Sequence, residues 1–77
     1  MDMSEKQIKM NRNMIIELCK YYIASKEQLK KDNKHEAFVK MYGEFMDVVS
    51  PYFWEEKMWK GLPYDIMETN LHLRTGG

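Results

Sequence analysis

Cysteine, histidine, glycine and proline are all scarce in this chain, and each shortage closes off a class of chemistry. The single Cys19 excludes an internal disulfide. Together with His35 and His72 it gives no closely spaced set of soft ligands, so neither a metal nor a cofactor is expected. The four glycines stand at Gly43, Gly61, Gly76 and Gly77, and no glycine-rich loop is present to cradle a phosphate. No run of 18 apolar residues exists, and the polar opening Met1-Asp2-Met3-Ser4-Glu5-Lys6 does not read as a signal peptide. Membrane association is not expected, and one lone cysteine fits a reducing, cytoplasmic setting.

Net charge is also absent: 12 basic residues balance 12 acidic ones. The balance fails locally, with nine basic and six acidic residues through Tyr42 against three basic and six acidic from Gly43 onward. Such a mild dipole can steer a charged partner, although ordinary solvated helix faces produce the same imbalance. With 44% apolar and 31% charged residues the composition is that of a folding chain. At 77 residues it is one small domain, residues 1–77, of marginal stability. Domains of this size usually need a staple, and without a disulfide or a metal the remaining one is another subunit.

What the chain does have is helical periodicity. Ser4 and Gln7 form a capping-box pair, and from there Ile8, Ile15, Leu18, Tyr22 and Leu29 recur at helical spacing, with Met14 and Cys19 flanking them. Ile16 and Ile23, seven apart, make a second stripe that a simple edge helix does not need, and they are the candidates for self-association. The spacing predicts a first helix over about 4–32. Asn33, followed by Glu36, repeats the capping pattern for a second helix over 34–49, carried by Phe38, Met41, Tyr42, Phe45, Val48 and Val49. The short connection predicts an antiparallel hairpin. Pro51 drives Ser50 from helical geometry and, with it, predicts a third helix over 51–60, stopped by Gly61-Leu62-Pro63. Ile66, Met67 and Leu71 allow one or two further turns over 64–70 against the hairpin, and residues 71–77 are expected to be a flexible tail. No segment alternates with a period of two. The fold class predicted is therefore all-α, a small three-helix bundle made of a hairpin, a short aromatic third helix and a possible C-terminal helical turn.

Catalysis is not expected. Nucleophilic chemistry needs Cys or Ser beside an oriented base, but Cys19 falls mid-helix on the apolar stripe and reads as a buried structural thiol, while no carboxylate pair sits in apolar surroundings. The ending Leu73-Arg74-Thr75-Gly76-Gly77 resembles the di-glycine tail of ubiquitin-like modifiers, but the body of the chain lacks their alternating strands. Eight methionines suit either an irregular core or a surface that adapts to a partner.

Five of the ten aromatic residues, Tyr52, Phe53, Trp54, Trp59 and Tyr64, lie within thirteen positions. Aromatics dominate the energetic centres of interfaces, and a two-helix hairpin has little room to bury them all. The expected function is that of a small protein-binding module, an inhibitor or adaptor such as a bacteriophage or another mobile element encodes, contacting its partner through Tyr52, Trp54, Met58, Trp59 and Tyr64. A homo-oligomer, dimer or higher, is expected beside that partner. A helix-turn-helix regulator is the alternative, but its recognition helix would set Glu55 and Glu56 against Lys57 and Lys60, so nucleic acid is not the expected partner. A further alternative is an oligomer that sequesters a small ligand between subunits.

Overall fold

The computed structural model describes residues 3–50 and 56–75, with side chains from Glu5 onward. Among the described residues there are four helices, α1 (Met3–Lys31), α2 (His35–Val49), α3 (Glu56–Trp59) and α4 (Tyr64–Arg74), and no strand. The chain is all-α, as its periodicity predicts.

At 1.5 Å per residue the 29 residues of α1 span about 43 Å, which accounts for the 44 Å long dimension of the molecule. Its inward row is Ile8, Asn11, Ile15, Cys19, Tyr22 and Leu29, all buried. Met14 is not part of it and lies half exposed. The start of α1 departs from the capping box: the helix already includes Met3, so Ser4 is inside it, and Gln7 donates its amide forward to Asn11 Oδ1 at 2.9 Å.

Asn33 also differs from its expected role. It has a left-handed φ of 57° and ends α1, with its amide donating to Lys30 O at 3.2 Å and the Lys34 amide to Leu29 O at 2.8 Å. This is the two-bond C-terminal motif that needs a positive φ, which Asn tolerates better than any residue but Gly. Helix α2 consequently starts one residue later than predicted, with Lys34 at its N-cap and no side-chain cap. Phe38, Tyr42, Met46 and Val49 face the core shared with α1 and α4. At the other end Ser50 keeps helical dihedrals (φ −51°, ψ −36°) in spite of Pro51, and its hydroxyl donates back to Asp47 O at 2.9 Å, so that it closes α2. Whether Pro51 opens a new helix lies outside the described residues, as do Tyr52 and Trp54.

Of the expected third helix, the described residues contain one turn, α3. Gly61 (φ 79°) terminates it, and Leu62, whose amide donates to Trp59 O at 3.2 Å, turns its side chain into the core. Arg12 reaches across from α1 and donates to Met58 O at 3.2 Å, neutralising carbonyls left open at the end of that turn. Lys57 adds an exposed ion pair to Glu5 at 2.6 Å.

The largest departure is α4, which runs 11 residues where the sequence predicts two turns and a loose tail. Pro63 stands at its N-cap, the carbonyl of Pro63 accepts from the amides of Ile66 and Met67 at 3.1 Å, and Thr75 closes the other end on Leu71 O and His72 O. Ile66, Asn70 and Leu73 are buried against α1 and α2, so α4 is the true third member of the bundle. Leu73, a tail residue by its sequence context, is 1% exposed.

Candidate functional site: an apolar groove on α4

Helix α4 carries apolar groups on two opposite faces. Ile66 and Leu73 point inward, while Tyr64, Met67 and Leu71, at i, i+3 and i+7, form a row on the outside. Met67 and Leu71 therefore face away from the hairpin that the sequence expects them to cover. Tyr64 is 79% exposed and Leu71 60% exposed. With Trp59 from α3 this row lines an open groove of about 500 Å³, rimmed by Glu68 and Arg74. The Glu68 carboxylate one turn on, an acceptor for the Tyr64 hydroxyl, pushes the phenol pKa up.

The floor of the groove is fixed from behind by a chain of polar groups inside the bundle. The Asn70 side-chain amide donates to Tyr42 Oη and lies 3.7 Å from Met46 Sδ, and Tyr42 Oη shares a hydrogen bond with Cys19 Sγ at 3.5 Å. Asn70, Tyr42 and Cys19 thereby tie α4, α2 and α1 to one another. Burial, which disfavours the charged form, raises the pKa of both Tyr42 and Cys19. A buried thiol with a raised pKa stays protonated and is a poor nucleophile, so Cys19 serves the core.

The residues expected at a partner surface separate accordingly. Trp59, half-buried and packed on the core, and Tyr64 meet in the groove. Met58 has no exposed surface and is corrected to a core residue, because the turn of α3 rotates it onto α1 while Arg12 fastens the same turn. Ile16 is half-buried against the core and Ile23 is exposed; Ile23 lines a second hollow of about 270 Å³ with Tyr22, Lys26, Glu68, Thr69 and His72. The two histidines, scattered in sequence, both come to Tyr22. His35 Nε2 shares a 2.7 Å hydrogen bond with its hydroxyl, and the His72 ring sits 6.2 Å from its ring.

Among the described residues no group of three or more His, Cys, Asp or Glu side chains is placed to hold a metal ion, and no helix is long and apolar enough to cross a membrane. Comparison with protein-family models, with curated proteins and with solved structures finds no match.

Proposed function

We propose that this chain is a small non-catalytic protein-binding module, an inhibitor or adaptor, that docks its partner in the groove on the outer face of α4. The observation that carries the reading is the double-sided character of α4: Ile66 and Leu73 already occupy the core, yet Tyr64, Met67 and Leu71 remain open beside Trp59. A helix with one buried face is normally polar on the other. An apolar trough with a charged residue of each sign on its rim suits the apolar stripe of an amphipathic helix from another protein. The aromatic anchors would supply most of the binding energy and the charged rim the register. Arg12, one of the basic residues of α1 on which a nucleic-acid reading relies, is engaged with the carbonyl of Met58, which leaves that alternative weaker.

The test compares the immobilised chain with its Leu71→Glu variant in lysate from its source cells. Retention of a protein that free chain competes away, and that the variant fails to hold while keeping the same circular dichroism, supports the reading. Equal retention by both, or retention of nucleic acid alone with strong salt dependence, defeats it.

A further inference from the structure

The hairpin has a second face, on the side of α1 and α2 away from α4. Tyr22 is buried, with its ring against both Phe38 of α2 at 5.6 Å and His72 of α4, whereas its neighbour Tyr21, which also stacks on Phe38 at 5.7 Å, is 53% exposed. Continuing that row along α1 gives Met10, Met14, Leu18, Tyr21 and Ser25, at spacings of three and four. The facing row of α2 is Ala37, Met41, Phe45 and Val48. The two helices run antiparallel with Tyr21 beside Phe38 and Cys19 beside Tyr42, so the rows lie alongside each other over most of α2. None of the nine residues is charged. Leu18 and Phe45 pack partly on the core, and Met10, Met14, Tyr21, Met41 and Val48 are exposed.

We infer that this uncharged, methionine-rich face of the α1–α2 hairpin is an interface between two copies of the chain. The five exposed side chains leave on the order of 500 Å² of largely apolar surface open, in the upper part of the range for the largest patch of a monomer, where such patches are often functional, and about six-tenths of the roughly 800 Å² per partner that a standard interface needs. A face with no charge meets no like-charge repulsion from a second copy of itself. Two hairpins laid face to face about a two-fold axis make a four-helix layer, with flexible methionines adapting across the seam. The α4 grooves are left on the two outer sides, so the dimer does not compete with the function proposed above and can fail without it.

Sedimentation equilibrium on the full chain tests this. A mass of twice 9.3 kDa at about 100 µM, with the dissociation constant raised at least tenfold by Met14→Glu and by Val48→Glu but unchanged by Leu71→Glu, is the expected result. Hydroxyl-radical labelling of the unmodified chain gives the same answer without variants. Oxidation of Met10, Met14 and Met41 falls as concentration rises, while that of Met67 does not. A monomer at every concentration overturns the inference. So does a dimer that Leu71→Glu dissociates and Val48→Glu spares, or labelling in which Met67 alone is protected.

Discussion

Asn11 and Asn70 are the buried polar side chains among the described residues, and they do opposite things. The Asn70 amide is spent on Tyr42 and Met46, inside a chain of groups that joins three helices. The Asn11 carbonyl accepts from Gln7, but its Nδ2 has no partner. An unsatisfied buried donor keeps its desolvation cost of about 1–3 kcal/mol, and removing a partner from a satisfied one creates such a cost. Substitutions at the two places should therefore differ in sign. Asn11→Leu is expected to raise the unfolding free energy by about 1 kcal/mol, since it removes an orphan donor and adds apolar contact. Tyr42→Phe is expected to lower it by about 1–2 kcal/mol, because the ring stays while the oxygen that receives Asn70 is lost. Urea titration of both variants at neutral pH checks this, and a loss of stability in Asn11→Leu would mean that its amide has a partner after all.

At the scale of the elements, the boundaries are set by two left-handed residues, Asn33 at the end of α1 and Gly61 at the end of α3. Both need a positive φ, which costs a residue with a Cβ on the order of 1 kcal/mol. The position at 33 is filled by the less suitable of the two residue types, so Asn33→Gly should gain a few tenths of a kcal/mol and Asn33→Ala lose about 1 kcal/mol. At Gly61 an added Cβ would meet, among the described residues, only the Arg12 guanidinium at an ordinary 3.7 Å, so Gly61→Ala measures chiefly the backbone term and should also lose about 1 kcal/mol. Thermal melts of the three variants decide it, and an Asn33→Ala protein as stable as the parent would contradict the helix end described here. The same two positions illustrate what a sequence makes legible. Gly61-Leu62-Pro63 reads correctly because Gly, an apolar residue and Pro each act through one mechanism. Asn33 is ambiguous, since Asn serves equally at the start of a helix and just past the end of one, and the capping pattern with Glu36 assigns it to the wrong helix. Helices α1 and α2 are legible because their apolar residues fall on a dominant stripe. Helix α4 is not, because its inward row has a polar Asn70 between Ile66 and Leu73 while Tyr64, Met67 and Leu71 mark the opposite side. Two half-strength stripes cancel as a periodic signal. Of the aromatic residues around 52–64, Trp59 and Tyr64 line the groove, but no local pattern separates Met58, which faces the core, from its neighbour Trp59.

At the scale of the whole molecule, α4 converts a hairpin into a domain. A chain of 77 residues has a total stability of roughly 4–12 kcal/mol. Full burial of one aliphatic side chain contributes about 1.5–3 kcal/mol, so Ile66 and Leu73 together account for about 3–6 kcal/mol. Losing them would also open the α4 side of Tyr42, whose hydroxyl receives Asn70, and of Tyr22, whose ring meets His72. The removal of one 11-residue helix thus takes away a free energy comparable to the whole. A chain stopped after Gly61 is expected to lose its cooperative thermal transition and most of its ellipticity at 222 nm, although the long α1 and the complete α2 remain in it. A chain stopped after Thr75, which keeps the hydroxyl bonds to Leu71 O and His72 O, should melt like the parent. If the shorter chain instead melts cooperatively near the parent temperature, the hairpin holds its own core and α4 is an appendage. In that case the apolar row Tyr64, Met67 and Leu71 would have no rigid backing, and a preformed docking groove on it would lose its structural basis.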